Sequence, residues 1–280
     1  MDFNNSSMIA PPPNSVTRVI HRKHTHKIAF TLSEVLITLG IIGVVATLTI
    51  PQLIQNYKKS VTVNKLKSSF AILNEAVLQS VAENGEYQNW DFSDTDKFTE
   101  TYILPYLKTT KVCGKFSRKK GCFKSMPNGE DGWQQLNGSY SFPGGFTPNY
   151  YYKFILTNGS SIGIRTFNNA VAQIYIDIDG PSKGESKIGK DVFYFQILNG
   201  VAVSGWYKAK GNPLIAGSEC ADGAPHINQT IETLLDGRKC PRGGCSLTSS
   251  DANGKIIGEA CSAVIIKNNW KVPNNYPVRF

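Results

Sequence analysis

Residues 30–50 read FTLSEVLITLGIIGVVATLTI, and Pro51 follows directly. Glu34 is the only charged residue in this run of 21 residues. About 20 predominantly apolar residues are enough to span a bilayer as an α-helix. A secretory signal has a shorter apolar region of about 7–15 residues, followed by a small-residue cleavage site. The run therefore predicts a membrane helix that stays attached to the mature protein.

The charges that flank this helix do not settle its orientation. Four basic residues lie in the polar segment before it, and four lysines follow it closely: Arg18, Arg22, Lys23, Lys27, and then Lys58, Lys59, Lys65 and Lys67. The positive-inside rule is therefore nearly balanced. All six Cys lie after residue 110, and paired thiols need an oxidising compartment. This distribution favours a cytoplasmic N-terminus and an extracytoplasmic C-terminal part.

Glu34 is an unusual residue for a membrane helix. A charge near the centre of such a helix costs roughly 3 kcal/mol on insertion scales. One interpretation places the carboxylate near the membrane interface, where it snorkels towards water. The other gives it a partner, because an ionisable residue within a membrane segment is by default a functional hypothesis.

The order of residues around Glu34 resembles the prepilin cleavage and methylation segment of type IV pilins and pseudopilins. A basic leader ends at a small residue, Ala29, and is followed by aromatic Phe30, an acid four positions on, an unbroken apolar run and Pro51. The resemblance implies cleavage by prepilin peptidase between Ala29 and Phe30 and methylation of the Phe30 amine. It also implies that Glu34 directs assembly and that Pro51 kinks the helix. The family usually has Gly where this chain has Ala29.

The resemblance covers about residues 20–55, and the leader is long for the family, with Met8 as an alternative start. Cleavage would leave the helix as an anchor and would create a new amine at Phe30. The Glu34 carboxylate of one subunit could then pair with the amine of its neighbour. A head-to-tail contact of this kind that does not close generates a filament.

After Pro51 the apolar residues recur mostly at spacings of three or four, which predicts an amphipathic helix. They are Leu53, Tyr57, Val61, Leu66, Phe70, Leu73, Val77 and Val81. Asn84-Gly85 is a helix-stop signal. The expected organisation is a leader over 1–29, a transmembrane helix over 30–57, its amphipathic continuation over 58–85 and a globular head over 86–280.

The head is rich in strand and turn signals. YYKFILTNGSSIGIRT predicts a hairpin with a type I′ turn at Asn158-Gly159. AVAQIYIDIDG predicts a strand that ends near Asp179-Gly180, and KDVFYFQILNGVAV predicts two strands joined at Asn199-Gly200. CSAVIIKNNW fits a strand or a short helix. The predicted class is α+β, with the long N-terminal hydrophobic helix packed on an antiparallel sheet.

The cysteines favour disulfides over a metal site. Cys113 and Cys122 bracket a short loop and form the expected first bridge. The pairing of four more, which cluster towards the C-terminus, does not follow from the sequence: Cys220, Cys240, Cys245 and Cys261. Only Cys240 and Cys245 approach the spacing that zinc sites use, and no second pair matches it. Six cysteines allow fifteen connectivities in all.

Two other clusters suggest binding sites. Asp177 and Asp179 precede Gly180 and are candidates for calcium, although the spacing is not that of an EF-hand loop and turn chemistry also explains it. A basic run near an aromatic run could bind single-stranded DNA, although a solvated loop beside a strand core is the commoner arrangement. These residues are Arg118, Lys119 and Lys120 with Tyr150, Tyr151 and Tyr152.

Composition argues against several other functions. The net charge of +9 falls to +6 without the leader, which is a modest excess for a nucleic-acid-binding protein. Only His226 lies outside the leader, and no nucleophile elbow, phosphate loop or HExxH motif is present. We therefore expect a protein that is not an enzyme, with no resident cofactor unless the aspartates hold calcium.

The leading hypothesis is a structural subunit of a type IV pilus or a type II secretion pseudopilus. Its partners would be prepilin peptidase, other pilin-like subunits and the inner-membrane assembly machinery. It would cross the inner membrane once before it enters the filament or reaches the cell surface. The alternative is a membrane-anchored extracytoplasmic binding or adhesion protein that does not polymerise, and a signal-anchored enzyme is a third, weaker class.

Overall fold

The structure is a computed structural model that describes residues 31–116, 121–140, 148–199, 213–217, 220, 228–241, 243–249 and 257–280. Its contacts divide the chain after Thr49. From Leu32 onwards, the described residues before this point belong to helix α1, which spans Leu32–Asn84. The part from Ile50 to Phe280 contains the rest of α1 and the whole head.

Helix α1 ends where the sequence predicts, because Asn84 is its last residue and Gly85 adopts a φ of +78°, which glycine tolerates best. Its buried residues follow the helical period and are Val63, Leu66, Ser69, Leu73, Ala76, Val77 and Ser80. Leu53 and Tyr57 belong to the same apolar pattern but fall within the predicted transmembrane segment 30–57, and both are about 70% exposed. The hydrophobic core of the head reaches α1 only from Val63 onwards.

Within the described residues, six antiparallel strands form one sheet in the order β1-β4-β5-β6-β7-β8. They are β1 (Thr109–Gly114), β4 (Tyr152–Leu156), β5 (Ser161–Phe167), β6 (Val171–Asp177), β7 (Val192–Leu198) and β8 (Ile215–Ala216). A two-stranded sheet pairs β2 (Lys124–Ser125) with β3 (Asp131–Gly132). The further α-helices of the described residues are α2 (Thr95–Tyr102), α3 (Ile231–Leu235) and α4 (Cys261–Lys267). The α+β class is as predicted.

Both faces of the six-stranded sheet are covered. Alternate residues of the strands point to opposite faces. One set packs against α1, where the rings of Phe70 and Phe195 lie 5.3 Å apart. The other set forms an aromatic cluster that includes Trp133, Tyr175 and Tyr194. Strand β7 is therefore buried along its whole length, which explains its nearly continuous hydrophobic sequence.

The β4–β5 hairpin forms where the sequence predicts it, but the type I′ assignment of its turn is wrong. The Gly159 N–H donates to the carbonyl of Leu156, and the Leu156 N–H donates to that of Ser160. Gly159 has a φ of +87°, whereas Asn158 does not have a positive φ. A type I′ turn needs a positive φ at both central residues, so this is a type I turn with a glycine bulge.

The C-terminal segment CSAVIIKNNW forms helix α4 rather than a strand. The helix is largely buried, and the Ser262 hydroxyl donates to the carbonyl of Tyr194 in β7. The strand expected after Asn199-Gly200 lies outside the described residues, whereas the strand before it is β7.

Candidate membrane and assembly segment

The first half of α1 exposes its apolar side chains. Among the described residues, α1 near the N-terminus is the one helix long and apolar enough to span a membrane, and none of its most apolar stretch is buried. Leu36, Ile42 and Leu48 are between 60% and 73% exposed. The core helix of a soluble protein would bury such residues, so this segment is compatible with a single-pass membrane anchor.

Three threonine hydroxyls in this segment form hydrogen bonds within the helix itself. The hydroxyls of Thr38, Thr47 and Thr49 each donate to a backbone carbonyl one turn earlier, at distances of 2.8 to 2.9 Å. Polar groups without partners are costly in hydrocarbon because no water is there to replace the hydrogen bond. The threonines therefore do not oppose placement of this surface in lipid.

Glu34 closes a capping box at the start of α1. The Thr31 hydroxyl accepts a hydrogen bond from the Glu34 N–H at 3.2 Å, and Glu34 Oε2 accepts one from the Thr31 N–H at 2.9 Å. The Thr31 hydroxyl also donates to the same Oε2 at 2.9 Å. This reciprocal pattern satisfies backbone donors that the first turn leaves without partners. Sequence reasoning missed it, although the spacing Thr-x-x-Glu is its usual signature.

The other processing residues are located less fully. Ala29 and Phe30 lie outside the described residues, so the cleavage site stays a prediction. Pro51 lies inside α1, which continues through it. A proline within a helix removes one backbone hydrogen bond. The kink expected there also stays a prediction.

Hydrogen bonds and an ion pair between polar side chains connect the second half of α1 to the turns of the sheet. The hydroxyls of Ser69 and Ser160 are 2.6 Å apart, and Asn158 Nδ2 donates to the Ser69 hydroxyl at 3.2 Å. Lys65 forms an ion pair with Asp179, with 2.5 Å between Nζ and Oδ1. The turn after β4 and the loop after β6 are thus both tied to one side of α1.

The two calcium candidates are engaged by protein groups in different ways. Asp177 is buried, its Oδ1 accepts from two backbone N–H groups, and its Oδ2 accepts from the Ser186 hydroxyl at 2.6 Å. Burial, and then the negative charge of Asp191, raises the pKa of Asp177 well above its usual range. Asp179 pairs with Lys65. In the described part of the chain, no group of three or more Asp, Glu, His or Cys side chains could hold a metal ion.

The cysteines form three disulfides. Cys113–Cys122 is confirmed, with the sulfur atoms 2.05 Å apart. The four cysteines that the sequence left unpaired form Cys220–Cys240 and Cys245–Cys261. All six are nearly or fully buried. The bridges link β1 and α4 to neighbouring loops, and such a disulfide-bonded head suits an oxidising compartment.

The DNA-binding candidates are only partly placed. The basic run Arg118–Lys120 and His226 lie outside the described residues. Tyr150 is 41% exposed, but Tyr151 and Tyr152 are buried. The Tyr152 hydroxyl donates to Glu100, and burial is the main cause that raises the pKa of this tyrosine to about 12. At most one of the three tyrosines is therefore available as a stacking platform.

Lys153 is a buried charge that sequence reasoning missed. Its side chain is fully buried, and its Nζ donates to the backbone carbonyl of Asp131 at 2.7 Å. Burial lowers the pKa of Lys153 to about 8, although the carboxylates of Asp131 and Glu130 partly oppose this shift. In the sequence, a lysine between two aromatic strand residues reads as the solvent-facing position of an alternating pattern.

A comparison with models of protein families finds a match over residues 52–129. The matching model is described as a "Family of unknown function (DUF6613)". The match begins just after Pro51 and covers the head-facing half of α1 together with the first disulfide loop. No curated protein and no solved structure matches the chain.

Proposed function

We propose that the chain is a structural subunit of a type IV pilus or a type II secretion pseudopilus. Prepilin peptidase would release the leader, and the N-terminal helix would anchor the subunit in the inner membrane before assembly. The observation that carries the proposal is the exposed apolar stretch of α1, whose single charge, Glu34, lies four residues after the expected new N-terminus at Phe30. The role is structural rather than catalytic.

The spacing between Phe30 and Glu34 supplies an axial register. At 1.5 Å per residue, four residues correspond to a rise of about 6 Å along the helix. A neighbour displaced by that rise would bring its Phe30 amine beside Glu34. The Oε2 atom of Glu34 is engaged by Thr31, whereas its Oε1 accepts no hydrogen bond from a described residue. Because a buried charge without a partner costs about 3–5 kcal/mol, the pair would select register.

The head supports an extracytoplasmic location. Its cysteines are all paired, and disulfides persist mainly in secreted, periplasmic or surface proteins. With a cytoplasmic N-terminus, one membrane-spanning helix places the head on the outer side. Other pilin-like subunits and the inner-membrane assembly machinery would be its partners.

One observation favours the alternative of an anchored binding protein that does not polymerise. In the Thr31–Glu34 capping box, the carboxylate stabilises the N-terminus of its own helix. Such a protein would need no neighbouring amine, and its leader would not have to be removed.

The first experiment measures processing. Intact mass and one cycle of N-terminal sequencing on protein from native membranes should give a chain that begins at methylated Phe30. Replacing Phe30 is unnecessary for this test, because the leader mass alone distinguishes the two states. Assembled material that retains residues 1–29 would refute the proposal.

The second experiment tests assembly with Glu34→Gln. The amide keeps the side-chain shape and removes the charge, so membrane insertion and head folding should persist while incorporation into sheared filaments falls. Glu75→Gln is the matched control, because Glu75 is exposed on the head half of the same helix. The measurement is the ratio of filament to membrane protein for each variant. Equal ratios for wild type and Glu34→Gln would refute the assembly role of Glu34 and would favour an anchored binding protein that does not polymerise.

A further inference from the structure

The apolar surface of α1 continues to Tyr57 and stops there. Ile50, Leu53, Ile54 and Tyr57 are all at least 47% exposed, and Lys58 is the first charged residue after Glu34. Tyrosine followed by lysine is the composition found where a membrane helix enters water. By composition, the boundary of the lipid lies near Tyr57 and Lys58.

The fold brings two distant parts of the head to this point. Lys190, from the connection between β6 and β7, and Phe280 line the same cleft of about 280 Å³ as Tyr57 and Lys58. Arg279, next to Phe280, is exposed. We call this cleft, together with the adjacent residue Arg279, the basal surface.

The acidic groups of the basal surface are already engaged. Asp179 pairs with Lys65, and Glu185 pairs with Lys190 at 2.5 Å. The carboxylate of Asp191 accepts three backbone N–H groups from the same loop, those of Glu185, Ser186 and Lys187.

Two cations of the basal surface are not engaged by these acidic groups. Neither Lys58 nor Arg279 forms an ion pair with a residue that the structure describes. Two aromatic side chains, Tyr57 and Phe280, line the cleft, and they are the sequence neighbours of Lys58 and Arg279. Cations next to aromatic rings suit the boundary of a bilayer that contains anionic lipids, because the cations reach the headgroups while the rings lie at the edge of the acyl region.

We propose that the basal surface docks the head onto an anionic lipid surface. Lys58 and Arg279 contact the headgroups, and Tyr57 and Phe280 lie against the outer ends of the acyl chains. Lys190 stays paired with Glu185 and lines the same cleft, so its accessibility reports on this contact. The inference rests on the proposed membrane anchoring by α1. It adds a second membrane contact, made by parts of the chain more than 130 residues after the helix boundary. This contact restricts the tilt of the head before assembly.

The test uses the full chain, reconstituted at low density into phosphatidylcholine vesicles with or without about 30% phosphatidylglycerol. A membrane-impermeant amine reagent and mass spectrometry then report the acetylation rate of each lysine. Lys190 should react about fivefold more slowly in the anionic vesicles, since one basic residue near such a surface contributes about that factor. Salt at 1 M, where the Debye length falls to about 3 Å, should abolish the slowing. Lys97, exposed on α2, should react equally in both.

Two matched variants separate this surface from general charge. Lys58→Gln/Arg279→Gln should remove the effect of anionic lipid on Lys190, whereas Lys97→Gln/Lys108→Gln should retain it. Both control lysines are exposed and lie on other parts of the head.

Equal acetylation rates of Lys190 in the two kinds of vesicle, with the chain co-floating with the vesicles in both, would refute the lipid contact of the basal surface. The membrane anchor would not be affected by this result. Slowing that instead grows with protein density in pure phosphatidylcholine would identify a second copy as the occupant and would also overturn the lipid contact. Failure to float would refute the anchor, and the basal surface with it.

Discussion

Replacement of Lys153 by Met should change how the stability of the head depends on pH. Met fills a similar volume without charge. The folded protein holds the pKa of Lys153 at about 8, against an ordinary value of 10.5, because the side chain is buried. Between these two pH values the unfolded chain binds more protons than the folded one. The wild type therefore gains stability as pH rises through this window.

The magnitude follows from the size of the shift. A difference of 2.5 pKa units, from about 8 to 10.5, corresponds to about 3 kcal/mol in full, of which about 2.5 kcal/mol accrues between pH 7 and pH 10. At pH 7 the variant loses the hydrogen bond to the Asp131 carbonyl, which stabilises the wild type by about 1.5–3 kcal/mol. It also avoids the free-energy cost of burying a charged amine, which is of similar size. The two proteins should then be nearly equal at pH 7, and the wild type should be more stable by about 2.5 kcal/mol at pH 10.

The assay is urea unfolding of the oxidised full chain in detergent micelles, followed by tryptophan fluorescence at pH 7, 8.5 and 10. Buried tyrosines such as Tyr151, whose pKa burial raises, destabilise both proteins above pH 10, and this effect cancels in the difference. Lys97→Met is the control, because it removes an exposed lysine from α2 without opening the core. A difference between wild type and Lys153→Met that stays constant across the three pH values would refute the assignment of a destabilising buried charge.

Two further predictions concern covalent and backbone constraints. Cys113→Ser/Cys122→Ser opens a loop of nine-residue separation and should lower the free energy of unfolding by about 3 kcal/mol in the same urea assay; an unchanged midpoint would contradict it. Gly180→Ala should lower the melting temperature clearly more than Gly85→Ala. Both glycines have positive φ, but a Cβ at Gly180 would lie 2.2 Å from the carbonyl oxygen of Gly159, whereas at Gly85 it would meet nothing within 4 Å. Equal losses would show that the close approach is relieved by backbone movement.

Local signals in the sequence were sufficient for the long helix, the β4–β5 hairpin and the strands β6 and β7, whereas the short elements β1, β2, β3, β8, α2 and α3 were not predicted. Asn84-Gly85 ended α1, and Asn158-Gly159 marked the hairpin, since turn chemistry acts over a few residues. Cys113 and Cys122 could be paired because a short loop brings them together whatever the rest of the chain does. The turn type was missed because it depends on Asn158, whose side chain donates to Ser69 on α1.

The features that sequence could not supply depend on contacts between distant segments. Lys65 and Asp179 are 114 residues apart, and no periodicity relates them. Lys153 is buried because β3 presents the Asp131 carbonyl to it, not because of its own strand pattern. Likewise, the basal surface requires Phe280 to return to the level of Tyr57, which only the packed C-terminal segment achieves.

The capping box changes how the proposed role of Glu34 has to be understood. A carboxylate at a helix N-terminus is favoured by the exposed N–H groups and by the helix dipole, so Thr31 provides the lone subunit with a local partner for its acid. This reduces the cost of holding an unassembled subunit in the membrane. It does not remove the selection of register, because only Oε2 is engaged by Thr31 and a neighbour's amine can approach Oε1. In the proposed assembly, the same residue therefore first caps its own helix and then joins it to the next. A Thr31→Val variant separates the two roles, since it removes the hydroxyl from the cap and keeps the charge: filament incorporation should persist where Glu34→Gln loses it.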